Sequence, residues 1–120
     1  MPSADASTMP SIPSAARVTE LGNTTVDSTH ITADGKLDAG SAAQIAARAL
    51  TLLASSSVAE GHVEAMSINC DFVDTAQLGD VISARGTVTR HTRTVLFLAV
   101  DLLQGERLIL TASSVYRINR

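Results

Sequence analysis

The chain has 120 residues, 45% of them hydrophobic, with a formal net charge of -3, one Cys and no Trp. That length holds one domain, the hydrophobic content excludes a disordered chain, and an acidic balance without a run of Lys or Arg gives no footing for nucleic acid. Cys70 alone cannot make an internal disulfide, and no apolar run approaches the roughly 18 to 20 residues that span a bilayer.

With two Phe and one Tyr, the core must be built from Ala, Val, Leu and Ile. Such a core buries a modest area per residue, which favours self-association. Nothing in the sequence has the basic, apolar and small-residue order of a secretory leader, so a soluble, cytoplasmic protein is expected.

Residues 1–15, carrying Pro2, Pro10 and Pro13, are expected to form a flexible arm, leaving 16–120 as the folded domain. Val18 to Ile31 is rich in Thr and Val with a turn signal at Gly22-Asn23, which predicts one bent strand or a small hairpin. A loop from Thr32 to Gly40 leads into the one substantial helix, Leu37 to Ala54. Ser41 followed by Gln44 has the form of a capping box, and Asp38 suits the positive end of the helix dipole. Ala42, Ala46, Ala49, Leu50 and Leu53 recur at helical spacing. Ile45 and Leu52 widen the stripe so far that little of the helix is expected to be exposed, and Arg48 is its only charge.

The rest reads as strands. From His62 to Val73 the sequence alternates, with Met66, Ile68, Cys70 and Phe72 on a face expected to be core and Ser67, Asn69 and Asp71 on the other. After Gly79-Asp80, a strand runs from Val81 to Arg90. Val95 to Leu103 is apolar on both faces, as a central strand requires, and Gln104-Gly105-Glu106 turns it into a last strand, Arg107 to Ile118.

A helix apolar nearly all round, followed by four antiparallel strands, suits a sheet curled about one central helix. Ile68-Asn69-Cys70-Asp71-Phe72-Val73-Asp74-Thr75-Ala76 with Gly79-Asp80 resembles the hotdog-fold thioesterase superfamily, in the branch of the phenylacetate-pathway acyl-CoA thioesterases. Thr75 stands where that pattern has Pro. Arg90-His91-Thr92-Arg93-Thr94 resembles its Arg-x-Gly-Arg-Thr bend, and Ala112 to Ile118 its final strand. Thr32 to Gly40 corresponds to Asn-x-x-Gly-x-Leu-His-Gly-Gly, keeping Gly35, Leu37 and Gly40, with Thr32 for the Asn and Asp38 for the His. Ala47 stands where the family carries its Asp or Glu, and Ala65 where some members carry Ser or Thr.

The resemblance, covering about Leu21 to Ile118, implies an α+β hotdog fold: one long central helix wrapped by a curved antiparallel sheet of about five strands. It implies an acyl-CoA thioesterase working at the helix N-terminus, with no cofactor beyond coenzyme A thioester as substrate or ligand. The alternative is a catalytically weak or inactive hotdog protein that binds an acyl thioester as sensor, carrier or accessory subunit. A third reading is an interaction module with a vestigial pocket. A homodimer or a dimer of dimers is expected, without nucleic-acid or membrane partners.

Thioester hydrolysis needs a group that polarises the carbonyl and a base that activates water. Backbone N–H groups at Ala39 and Gly40 suit the first task, whereas the Ala47 methyl cannot perform the second. Asp38 is the candidate base, though a short acidic residue before a helix is more often a cap. Thr32, Ala39, Ser41, Gln44 and Ala47 are the expected substrate-contacting positions. Glu60 with His62 is a weaker acid–base pair, set against a solvated loop, and Asn69 with Asp71 a polar strand face. Arg90 and Arg93 beside His91 form the only cationic cluster and suit coenzyme A phosphates, a solvated bend being the plainer reading. Cys70 reads as a buried inert thiol. His30 has no partner at metal-ligand spacing.

Overall fold

The structure, a computed structural model, describes residues 17–120. The expected arm lies outside the described residues. Along the chain come β1 (Thr19–Thr25), α1 (Ala39–Ser56), β2 (His62–Phe72), β3 (Val81–His91), β4 (Val95–Gln104) and β5 (Arg107–Asn119). The strands form one antiparallel sheet in the order β1-β3-β4-β5-β2, so the first and second strands lie on opposite edges. Across its concave face α1 touches all five strands.

The apolar run of β4 places it at the centre, where Leu96, Leu98, Val100 and Leu102 point into the core with almost no exposure. Ala42, Ala46, Ala49, Leu50, Leu53 and Ala54 meet them from the helix. Gly86 in β3 lies beneath this contact. A Cβ there would come within 2.9 Å of both Leu21 Cδ1 and Leu53 Cδ2, so its missing side chain lets the helix settle onto the sheet. At the next β-strands along, the Thr51 and Tyr116 hydroxyls share a hydrogen bond at 2.7 Å, tying α1 to β5.

Two expectations are corrected. First, the helix is covered on one side only: Gln44, Arg48, Thr51, Leu52 and Ser55 are exposed, because a five-stranded sheet curls under α1 without closing over it. Second, β2 is an edge strand rather than a half-buried one. Its pairing with β5 shifts between Ala65 and Ser67, so the inward positions change from odd-numbered Val63 to even-numbered Cys70 across a bulge at Met66. Met66, Ile68 and Phe72 stay 51%, 37% and 53% exposed, since no described residue covers that edge. The first strand is bent, as one of the two readings had it, with a register shift between Glu20 and Asn23. A central helix cradled by a curved five-stranded antiparallel sheet is the hotdog arrangement. Among the described residues, no helix is long and apolar enough to cross a membrane.

Candidate functional site at the helix entrance

The approach to α1 is pinned by backbone bonds. Leu37 N donates to Ala76 O and Asp38 N to His30 O, each at 2.8 Å, and Ile31 bridges Leu37. Asp38 is therefore held extended, with φ −81° and ψ 151°, as the helix N-cap. Its Oδ1 accepts from Gly40 N at 2.8 Å and Ser41 N at 3.3 Å, while Oδ2 accepts from Ser41 Oγ at 2.7 Å. The cap is thus Asp38 and not a Ser41–Gln44 box, because a carboxylate three residues before Ser41 reaches both leading N–H groups.

This arrangement fixes what the entrance can do. The Ser41 hydroxyl, then the Ser41 and Gly40 amides and the nearby His30, hold the Asp38 carboxyl below its ordinary 3.8. An anion so well satisfied is a weak proton acceptor. Gly40, expected as an oxyanion donor, already gives its N–H to Asp38, and Ala42 donates to Asp38 O at 3.0 Å. In the first turn, only the Ala39 N–H has no acceptor among the described residues.

Thr32 turns away from the entrance, its hydroxyl donating to the Asp34 carboxylate and to Lys36 O within its own turn. Gln44 is exposed and Ala47 half-buried on the open side of α1, bordering a depression with Arg48 and Thr51 that contains no carboxylate. Glu60 and His62 lie beyond the other end of α1, about 27 Å away by helical rise, so one chain does not bring them to the entrance. Arg90 and Arg93 are also distant, since Arg90 is nine residues up β3 from Val81, about 30 Å by strand rise. Arg90 stacks over the Phe97 ring at 6.0 Å. Asn69 faces the convex side beside Ser67, Phe97 and Ser113, and Asp71 is exposed. Burial, aided by the Asp71 charge, pushes the Cys70 thiol up, against its acting as a nucleophile.

His30, which in the sequence stands without a metal-ligand partner, lies beside the entrance, its carbonyl accepting from Asp38 N. Its Nδ1 accepts the Asp27 N–H at 3.0 Å, which puts the proton of the neutral ring on Nε2. The ring faces a cleft between β1 and α1, shared with Gln44 and Arg48. The available signal was the spacing Asp27-Ser28-Thr29-His30 directly before the helix loop, a turn in which Asp27 Oδ1 also accepts from Thr29 N and Oγ1. Among the described residues, no group of three or more His, Cys, Asp or Glu is placed to hold a metal.

A helix cradled in a curved sheet, with its first amide open at the entrance, defines a hotdog protein of the thioesterase kind. The chain belongs to the thioesterase superfamily, whose family signature matches residues 39–111. Solved structures agree on the fold. A phenylacetic acid degradation-related protein from Ralstonia eutropha JMP134 superposes with a TM-score of 0.79 at 19% identity, covering 96% of this chain and 89% of that one. Zebra fish thioesterase superfamily member 2 gives 0.75 at 20% identity over 85% and 81% of the two chains. A hypothetical thioesterase protein from Streptococcus pneumoniae TIGR4, solved with coenzyme A, gives 0.74 at 15% identity over 85% and 88%. No curated protein matches the chain in sequence. At such identities the likeness carries the fold, and the chemistry rests on the residues present.

Proposed function

We propose that this protein takes an acyl-coenzyme A thioester at the entrance of α1 and hydrolyses it by attack of water on the carbonyl carbon. The C–S bond breaks, coenzyme A leaves as the thiol and the acyl group as the acid. The open Ala39 N–H carries this reading: it is a fixed donor where the carbonyl oxygen would gain charge. Membership of the superfamily and the coenzyme A in the S. pneumoniae protein support the ligand class.

The same entrance favours a second reading, a protein that binds the thioester with little turnover. Asp38 is committed to its cap and Ala47 offers a methyl group, so neither of these two positions supplies a ready base for the water. A positioned base is worth about 10² to 10⁴ in rate, and hydrolysis without one is slow by that factor.

Both readings place the working unit in a homodimer. The outer edge of β2 carries unpaired backbone over 11 residues, with Met66, Ile68, Phe72 and Val73 exposed on and beside it. Antiparallel pairing of two such edges sets the His62 end of one subunit beside the Phe72 end of the other. The partner's Arg93 region would then approach this chain's helix entrance and offer cations to coenzyme A phosphates. The test is thiol release and calorimetric binding with short, long and aromatic acyl-CoAs. Turnover supports the first reading, saturable binding without turnover the second, and absence of both overturns the two together.

A further inference from the structure

Between β1 and the open side of α1 lies a cleft of about 220 Å³. Its walls change character along their length. Asn23, Thr24, His30 and Gln44 stand at the end nearest the helix entrance, and Leu21, Ala49 and Leu52 at the other, where Leu21 reaches toward Leu53 above Gly86. Arg48 lies midway, one helical turn beyond Gln44 and one before Leu52, so the three line the same side of α1. The bulge of β1 at Gly22, which has φ 103°, puts a residue without a side chain opposite them and keeps the cleft open.

The polar end consists of hydrogen-bond donors, among which only His30 has a carboxylate beside it, Asp27 Oδ1 at 3.3 Å from Nδ1. No carboxylate lines the cleft. Asp38 is taken up by the helix cap, Asp27 by Thr29 and Glu20 by Arg85. The Arg48 guanidinium makes no ion pair or hydrogen bond among the described residues, and neither do the Gln44 and Asn23 side chains. With Nδ1 accepting from Asp27, His30 offers Nε2–H as its remaining donor. A guanidinium, an imidazole N–H and two carboxamides converging beside an apolar wall match a planar anion with a hydrocarbon tail.

We infer that the cleft between β1 and α1 is a binding site for a small amphipathic carboxylate, its head on Arg48, His30 and Gln44 and its tail against Leu21 and Leu52. Size narrows the class. The cleft is below the roughly 300 to 1,000 Å³ of pockets that hold drug-sized ligands, so it suits a short aliphatic or single-ring acid and excludes coenzyme A. Inorganic phosphate would satisfy the donors but leave the apolar half wet. The site is tested separately from thioester hydrolysis, because its occupancy by an added free acid is read without turnover.

The experiment titrates hexanoate, benzoate, acetate, hexanamide and inorganic phosphate into the full ¹⁵N-labelled chain and follows backbone amide shifts. Hexanoate and benzoate should saturate, with the shifts clustered on residues 21–24, His30 and 44–52. Hexanamide, isosteric but uncharged, should bind about tenfold more weakly or worse, a difference of about 1.4 kcal/mol. Arg48→Gln should weaken hexanoate by a similar factor while Arg48→Lys retains part of the affinity. Leu52→Ser should weaken hexanoate and leave acetate unchanged. Arg48 and Leu52 are exposed, and an unaltered spectrum of each variant away from the cleft verifies folding. The inference is overturned if no carboxylate saturates, if the shifts cluster elsewhere, if hexanamide equals hexanoate, if Arg48→Gln changes nothing, or if phosphate binds as tightly as hexanoate.

Discussion

The Ser41 hydroxyl lies 2.7 Å from the Asp38 carboxylate and donates to it, closing a small ring at the start of α1 that also takes up the Gly40 amide. The ring makes the helix entrance rigid and leaves its anion with little left to give. Stability and chemistry compete here for one carboxylate, and stability holds it.

Asp38→Ala should lower the thermal midpoint at neutral pH by uncapping α1. Because the folded carboxyl sits below its ordinary 3.8, the folded state takes up this proton less readily than the unfolded chain. Its contribution is complete above that ordinary value and is lost as pH falls through the lower folded one. The midpoint difference between wild type and Asp38→Ala should therefore be constant from neutral pH to about 4 and narrow below it, as melting followed by circular dichroism would record.

Tyr116→Phe removes the hydroxyl that bonds Thr51 without opening a cavity, since the ring itself is buried. The expected cost is about 1 kcal/mol, close to that of one hydrogen bond, because the Thr51 hydroxyl regains water on the exposed side of α1. Urea unfolding with an unchanged m-value is the measurement.

Gly86→Ala introduces a methyl where Leu21, Leu53 and the Ala99 carbonyl already lie within 3.0 Å. Overpacking of this kind costs about 1 to 3 kcal/mol. Displacement of Leu21 should also narrow the adjoining cleft, so hexanoate affinity should fall together with stability.

Ala47→Asp adds a carboxylate on the open side of the helix, where Ala47 borders Gln44, Arg48 and Thr51. If the entrance already receives a thioester, thiol release from the best acyl-CoA should rise by about 10²-fold or more. An unchanged rate with substrate still bound would remove this position from the chemistry.

Ile68→Glu places a charge on the exposed β2 edge, opposite Ser114. Wild type should sediment as a dimer or larger at micromolar concentration and the variant as a monomer. A variant that stays dimeric would move the interface away from β2.

Much of this architecture can be read from the chain, because burial writes itself into periodicity. The double-sided apolar run of Val95 to Leu103 identifies the central strand, and the recurrence of Ala42, Ala46, Ala49, Leu50 and Leu53 identifies the buried side of the helix. Three features are less legible. A bulge at Met66 reverses the alternation of β2 without disturbing the pattern of residue types, so Val63 and Cys70 face the same way. Ser41 and Asp38 compete for the same orphan amides, and backbone anchoring of Leu37 and Asp38 by Ala76 and His30 decides between them. His30 has its ring aimed by a local turn and faces Gln44 and Arg48 only once β1 and α1 have come together, a long-range outcome that spacing does not encode.

The tie between Thr51 and Tyr116 also gives the molecule a built-in reporter. The chain holds one Tyr and no Trp, so its near-ultraviolet spectrum is dominated by a single phenol at the seam between helix and sheet. Any event that lifts α1 from β5, whether heat, denaturant or a ligand wedged along the helix, changes that chromophore's hydrogen bonding and surroundings together. Unlabelled protein in a fluorimeter thus reports on the docking of its own helix, and on little else.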